Sequence, residues 1–370
     1  MRFPYKGDWH KRKLNEICLF FKGNGLSKSD LSNEGFPCIL YGELYTTYKN
    51  EVISDIVSKT TITLSNPFLS KNNDLIIPGS GEDPIDIAVA RAIYQNDIIL
   101  GGDLNVLRPK SNVSAAFLSY QLNGVRRYDI AKKAQGKSIV HLHNSDLKEI
   151  CVSIPTYDEQ LHIVKLLTKI DEMIETQSKI IDTLSSQKKQ IRNLIFKDIH
   201  KNANCCIQDY VIYEQPQKYI VHSTDYLSYG KDYTPVLTAN QSFILGYTLE
   251  KDGIYEKGDC IIFDDFTNEN KYVDFPFKVK SSALKILQTK EGLMLKFFYE
   301  YLQFLNFEST DHKRHYLSEV AVTDISVPNL KEQTFVCKIF TSFDNKLKNE
   351  EALLEKYRLQ KQFLLNNLFI

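Results

Sequence analysis

Residues 155–196 and 328–369 are two copies of one segment, aligned without a gap at a spacing of 328 − 155 = 173 residues. Pro155 pairs with Pro328, Glu159-Gln160 with Glu332-Gln333, Lys165 with Lys338, Thr168 with Thr341 and Asp171 with Asp344. The match runs on through Gln187-Lys188 with Gln360-Lys361, Asn193 with Asn366 and Phe196 with Phe369. Apolar positions coincide between these identities, among them Ile163/Val336, Ile170/Phe343, Ile174/Leu347 and Ile195/Leu368. A sequence used twice builds two equivalent elements, so the fold must contain a matched pair.

Each copy reads as a long helix. Ile163, Leu166, Leu167, Ile170, Met173, Ile174, Ile180, Ile181, Leu184, Ile191, Leu194 and Ile195 keep near-heptad spacing, and no proline or glycine interrupts the run from Tyr157 to Lys201. At ~1.5 Å per residue, about 40 residues reach roughly 60 Å, longer than an ordinary globular helix. A stripe this narrow calls for one partner helix, and the other helix of its kind is the second copy. Polar Gln177 and Gln187 break the seam. Proline with Asp158-Glu159, or with Glu332, marks each start, where acids meet the positive end of the helix dipole.

The chain therefore reads as block, helix, block, helix: residues 1–154, 155–202, 203–327 and 328–370. Antiparallel pairing would place the two blocks at opposite ends and let the helices act as a ruler. The blocks read as mixed β/α. Strands are expected at Thr60–Leu64, Asp74–Ile77, Asp97–Leu100, Asp259–Phe263 and Ala283–Leu287, and helices at Ala115–Leu122 and Leu293–Phe304. Ser145-Asp146-Leu147 corresponds at the same spacing to Ser318-Glu319-Val320, and Leu14–Ile17 has a weaker echo in Ile207–Tyr210. The interiors of the blocks do not resemble one another. The fold class is α+β with an internal pseudo-twofold repeat.

Two unlike blocks separated by such spacers resemble the specificity subunit of a bacterial type I restriction-modification system. The opening Gly7-Asp8-Trp9-His10-Lys11-Arg12-Lys13-Leu14 is similar to that family's start, and Ile154-Pro155-Thr156-Tyr157-Asp158-Glu159-Gln160 to its central spacer. Gly101–Pro109, Thr234–Asn240 and Ile262–Asn268 resemble stretches of its target-recognition domains. The resemblance covers essentially the whole chain. It implies that each block reads one half of a split, asymmetric target in double-stranded DNA and that the helices fix the gap. It also implies that the helices carry two adenine-N6 methyltransferase subunits, with Glu159, Gln160, Ile163, Ile170, Asp171, Glu332, Gln333, Phe343 and Asp344 as spacer and partner-helix residues, and that motor-nuclease subunits join for restriction. S-adenosylmethionine would then belong to the methyltransferase and ATP with Mg²⁺ to the nuclease, leaving this chain without cofactor or chemistry of its own.

Composition permits this. The chain has 370 residues, 43% of them hydrophobic, with 46 Lys plus Arg against 46 Asp plus Glu. Zero net charge argues against a simple polycation, so any phosphate-binding surface must be local. Arg126-Arg127-Tyr128-Asp129-Ile130-Ala131-Lys132-Lys133-Ala134-Gln135-Gly136-Lys137-Ser138 holds five cations against one acid, and Asp311-His312-Lys313-Arg314-His315-Tyr316 stands in the matching place before the second helix. Arg126, Arg127, Lys132, Lys133, Lys137, Ser138, Lys313 and Arg314 are the phosphate-contact candidates. A solvated lysine-rich loop is the plain alternative for each run, and their matching positions favour DNA. Base edges need donors and acceptors on loops: Tyr41, Glu43 and Tyr45 in the first block, and Asn240, Gln241, Asp264, Asp265, Thr267 and Asn268 in the second. Tyrosines in such runs are more often core.

Seven cysteines show no C-x-x-C, so neither a zinc site nor a disulfide framework follows. His141 with His143 and His312 with His315 find no ligand set. With no signal peptide and no apolar run long enough for a bilayer, a cytoplasmic location is expected. An enzyme is the rival class. A G-x-x-x-x-G-K-[ST] loop is absent; Asn66-Pro67-Phe68 lacks the second proline of an amino-methyltransferase turn; Gly79-Ser80-Gly81-Glu82-Asp83-Pro84 follows a strand but opens no helix, and both read as turns. Asp259, Asp264 and Asp265 with Lys271 make a poorly spaced metal-nuclease pattern. A two-headed protein scaffold, or a degenerate subunit that no longer reads DNA, predicts the same architecture. DNA affinity with steep salt dependence separates a reader from either.

Overall fold

The computed structural model describes residues 8–230, 232–239, 242–307 and 314–369. The chain forms two compact units, residues 1–179 with 352–370 and residues 180–351. Each unit holds one mixed β/α head and half of each long helix, Tyr157–His200 and Leu330–Leu368.

Within the first unit the start of the first helix packs antiparallel on the end of the second. Ile163, Leu167 and Ile170 are buried with Leu364, Leu368 and Phe369 against Phe117 and Tyr120 of the head helix Ala115–Asn123. Within the second unit, Phe196 is wholly buried with Val336 and Phe340 against Phe297 and Tyr301 of the head helix Leu295–Leu305. The narrow stripe thus covers one partner helix and one helix of the head. Phe343 is half-buried where its counterpart Ile170 is fully buried.

The heads share a strand order that their sequences hide. In the first, the sheet runs Cys18–Lys22, Leu104–Pro109, Asp74–Pro78, Arg91–Ile93 and Val52–Ile53. In the second it runs Val211–Glu214, Leu284–Thr289, Cys260–Asp264 and Asn270–Val273. A small sheet follows suit: Phe36–Ile39 sits between antiparallel Ser58–Thr60 and parallel Ile99–Leu100, as Thr234–Leu237 sits between antiparallel Ile244–Thr248 and parallel Lys278–Val279. The expectation of unlike interiors is corrected at the level of fold. A core needs apolar volume at the inward positions, not particular side chains, and the fully buried strands Asp74–Pro78 and Cys260–Asp264 meet that need with largely different residues. The echo of Leu14–Ile17 in Ile207–Tyr210 is real, each being a one-turn helix that receives the backbone N–H of Lys110 or Lys290 at its end.

The strand expected at Thr60–Leu64 stops at Thr60. The Thr60 hydroxyl donates to the Asp30 carbonyl at 2.7 Å and accepts from Ile62 N–H at 3.2 Å, a local bond that draws the chain out of the ladder. Among the described residues no helix is long and apolar enough to cross a membrane.

Candidate nucleic-acid interface

Both heads bring the segment before the long helix onto the loop that follows the central strand. In the first head the central strand Asp74–Pro78 leads into Gly79, whose N–H donates to the Asp103 carbonyl at 2.6 Å and whose carbonyl accepts from Leu142 N–H at 2.9 Å. In the second, Cys260–Asp264 leads into Asp265, whose N–H donates to the Ala283 carbonyl at 3.0 Å and whose carbonyl accepts from His315 N–H at 2.9 Å. Leu142 and His315 are 173 residues apart, so the repeat extends into these loops.

In the first head the basic run forms a turn of helix, Arg127–Ala131, and then a short strand, Gln135–Gly136, paired with Val140–His141, which pairs in turn with Ser80–Gly81. Lys132, Lys133, Lys137 and Ser138 are exposed. Arg126 and Arg127 are half-buried and engaged within the head, Arg126 with Asp129 at 3.3 Å and Arg127 with the Ile85 carbonyl at 3.0 Å. Arg314 in the second head is exposed, its guanidinium 5.7 Å over the Phe266 ring. Lys313 lies outside the described residues, as do Asn240 and Gln241.

The acids singled out as base readers are largely structural. Asp265 is buried, its carboxylate accepting from Tyr316 N–H at 2.9 Å and pairing with the equally buried Lys285 at 3.2 Å. Asp264 accepts from Phe266 and Thr267 N–H and shapes the turn. Thr267 alone of this run is exposed; Asn268 is buried in the left-handed region at φ 59°, its side-chain N and O without partners among the described residues. In the first head, Glu43 accepts from Leu40 N–H at 2.7 Å and from the Ser58 hydroxyl, which engages both its oxygens. Tyr41 and Tyr45 pack on the core, and burial raises the Tyr45 phenol above its ordinary value. The run Tyr41–Thr47 is a helical lid on the sheet because its aromatic side chains have apolar area to cover. Asp259 stands at the far end of strand Cys260–Asp264 from Asp264 and accepts from Tyr272, so the three acids of the nuclease pattern do not converge. His222, Glu250 and Asp252 bring ligand atoms within 4.8 Å of one another, but the buried Lys278 ammonium already holds Glu250 at 2.7 Å.

Three polar identities of the repeat, Gln160/Gln333, Asp171/Asp344 and Lys188/Lys361, are fastenings between head and helix, while Lys165/Lys338, Gln187/Gln360 and Asn193/Asn366 are exposed. Gln160 accepts from Ser114 N–H at 2.9 Å and donates to the Asn112 and Pro155 carbonyls; Gln333 accepts from Met294 N–H at 2.7 Å and donates to the Gly292 and Pro328 carbonyls. Each glutamine thus caps the start of its head helix and ties the head to the long helix. Glu159 is buried and accepts from the Trp9 indole at 3.1 Å, whereas Glu332 is exposed. Asp171 takes Lys361 at 2.6 Å, and that lysine also holds Glu51 at 2.6 Å. Asp344 takes Lys188, the repeat counterpart of Lys361, at 2.6 Å. Burial pushes the Asp171 carboxyl above its ordinary value against the pull of Lys361, with the Glu51 charge adding to the rise. For Asp344, burial is outweighed by Lys188 and Lys296, and its carboxyl sits below the ordinary value. Lys188 and Lys361 stand in the repeat, as do their partners Asp344 and Asp171, but their further partners Glu300 and Glu51 lie in the dissimilar interiors.

Residues 6–186 match the model of the type I restriction modification DNA specificity domain. The chain is 48% identical over 123 residues to the type I restriction enzyme EcoR124I/EcoR124II specificity subunit of Escherichia coli, covering 31% of this chain and 30% of that protein. It is 23% identical over 205 residues to a putative type I restriction enzyme MjaX specificity subunit of Methanocaldococcus jannaschii, covering 51% and 45%. These matches span less than half the length of either relative. Among solved structures, the S subunit of a type I restriction-modification system from M. genitalium aligns over 100% of this chain and 98% of its own, with a TM-score of 0.65 and 18% identity. A chain from a structure of type I system assembly and conformational transition aligns over 98% of each, with a TM-score of 0.53 and 13% identity. At such identities the likeness is one of fold.

Proposed function

The chain belongs to the type I restriction-modification specificity-subunit family, and on that footing we propose that it is the sequence-reading subunit of such a system. Each head reads one half of an asymmetric bipartite target in duplex DNA. The paired helices set the gap and seat two adenine-N6 methyltransferase subunits, and motor-nuclease subunits join for restriction. Chemistry resides in those partners, with S-adenosylmethionine in the methyltransferase and ATP with Mg²⁺ in the nuclease, and the complex works on cytoplasmic DNA.

One observation carries the reading: in each head an exposed cation-bearing segment is fastened to the loop at the end of the central strand, with Lys132, Lys133 and Lys137 in the first and Arg314 in the second. Phosphate contacts orient a protein on the duplex, and loops beside them read base edges. The test is co-expression with a cognate adenine methyltransferase and sequencing of host DNA for N6-methyladenine. A split, asymmetric motif that disappears when this chain is omitted is the expected result. A stable complex that leaves DNA unmethylated and binds it without salt dependence would favour the protein scaffold instead.

Two variants refine the proposal. Replacing Lys132, Lys133 and Lys137 with alanine weakens binding to all sequences about equally and lowers the salt slope, read in a titration of specific and random duplexes. Adding one helical turn to both long helices changes the tolerated spacer and leaves the half-site letters unchanged, read from the methylation motif. Altered letters would mean that the helices do not act as the ruler.

A further inference from the structure

The repeat spacing places His141 of the first head at the position of Arg314 in the second, since 314 − 141 = 173. The hydrogen bonds agree: the residue after each, Leu142 or His315, donates its N–H to the first residue beyond the central strand, Gly79 or Asp265, at 2.9 Å. His141 is exposed, as Arg314 is. It lies on the middle strand of a three-stranded sheet, where Gln135 of the outer strand is its partner across the ladder, the two strands forming an outer ribbon, and Ser80 is its partner on the other side. Directly opposed residues in an antiparallel pair project to the same face, so Gln135 and His141 are presented together. His143 stacks on His141 with ring centroids 6.2 Å apart and planes within 4°, which steadies the imidazole.

The tip of the ribbon is cationic and tightly turned. Gly136 has φ +137°, and a Cβ there would meet the Ile139 carbonyl at 2.0 Å, so the turn requires glycine. Lys137 and Ser138, both exposed, occupy that tip, and Lys132 and Lys133 precede it. Acids adjoin the ladder at Glu82, just beyond Gly81, at Asp103, which accepts from the Ser80 hydroxyl at 3.2 Å, and at Asp146, which accepts from His143 N–H at 3.3 Å. Glu43, by contrast, has both oxygens engaged within the head, one with Leu40 N–H and the other with the Ser58 hydroxyl.

We propose that the ribbon Gln135–His141 is the base-reading element of the first head, with Gln135 and His141 at base edges in the major groove and Lys137 and Ser138 on the flanking phosphates. Gln135–Gly136 and Val140–His141 form the outer hairpin of the three-stranded sheet, and a two-stranded hairpin fits the major groove. A glutamine amide matches the N6 and N7 of adenine, and an imidazole offers one donor and one acceptor for a purine edge. A lysine and a hydroxyl suit phosphate oxygens. His141 and Arg314 are then the paired specificity determinants of the two heads, with Arg314 at a base edge rather than on a phosphate as its place in a basic run suggested.

This inference rests on the proposed DNA-reading role, and the experiment separates the two. The full chain, complexed with its methyltransferase, is mapped for N6-methyladenine motifs as wild type, as Gln135→Ala with His141→Ala, as Arg314→Ala and as Lys137→Ala. The expected result is loss of discrimination by about tenfold or more at positions in one half-site for the double variant. Arg314→Ala relaxes the other half-site, and Lys137→Ala weakens methylation without changing the motif. Because all four side chains are exposed, the variants should melt with the wild type, and a thermal scan verifies that. If the wild type yields a split motif that the double variant reproduces in full, the ribbon is not the reader and this inference falls alone. If the wild type yields none, the DNA-reading role falls and takes the inference with it.

Discussion

The two units fasten head to helices with the same lysine and aspartate but surround them differently. In the first, Lys361 lies between Asp171 and Glu51, and the Tyr120 hydroxyl donates to Asp171 at 2.6 Å. In the second, Lys188, Lys296 and Arg192 converge on Glu300 and Asp344. Tyr120 and Glu300 hold one place in the fold, each six residues after the N-cap that its glutamine latch fixes, 120 − 114 and 300 − 294. Leu365 stands where the repeat puts Arg192. The first pin is one cation shared by two acids and a phenol, so loss of one acid leaves Lys361 paired with the other. The second sets three cations on two acids, and removal of Glu300, which all three cations contact, strands buried charge. Glu300→Ala is therefore the most damaging single change expected here, at about 3–5 kcal/mol. Tyr120→Phe, which deletes one hydrogen bond to a buried carboxylate, costs less, about 1.5–3 kcal/mol. Urea titration followed by hydrogen exchange in each unit measures both, and equal losses would break the comparison.

The glutamine latches should sharpen it from the other side, because here the units are alike. Gln160→Ala and Gln333→Ala each remove three hydrogen bonds and leave buried backbone groups unpaired, at a cost of about 2–3 kcal/mol, the same in both units. Exchange protection at the start of the head helices, Ala115–Asn123 and Leu295–Leu305, reports each loss locally. A loss in one unit alone would show that the repeat is conserved in form but not in energetics.

These residues also show what the sequence can disclose. The long helices were legible because their stripe is periodic and repeated, and the equivalence of the units was legible because identities recur at one spacing. Identity alone did not disclose burial: Gln160/Gln333 are buried, whereas Lys165/Lys338, Gln187/Gln360 and Asn193/Asn366 match equally well and are exposed. The common strand order was illegible, because Asp74–Pro78 and Cys260–Asp264 share one isoleucine, Ile76 with Ile262, and otherwise only apolar character at the inward positions. The roles of Glu43 and Asp265 were illegible for a related reason: a carboxylate on a loop looks the same in sequence whether it faces solvent or, as Asp265 does, a buried ammonium 3.2 Å away.

The smallest expected effect is the most diagnostic, because it differs in sign between the units. A carboxyl whose folded pKa lies below its unfolded value lends stability above the unfolded value and loses it as pH falls through the folded one. Asp344 is of this kind, burial being overcome by Lys188 and Lys296, so its contribution is complete at neutral pH and is lost below 3.8. Asp171 is the reverse: burial, partly offset by Lys361 and Tyr120 and reinforced by Glu51, raises its carboxyl above 3.8. Its charge therefore costs stability at neutral pH, and the cost is relieved as pH falls through the raised value towards 3.8. Denaturation from pH 7 downwards, comparing the wild type with Asp171→Asn and Asp344→Asn, isolates each group. Relative to its variant, the wild type should gain in the first unit as pH falls towards 3.8 and lose in the second below it. Slopes of the same sign would mean that Lys361 compensates Asp171 as fully as two lysines compensate Asp344, and that the extra cation of the second pin has no electrostatic consequence.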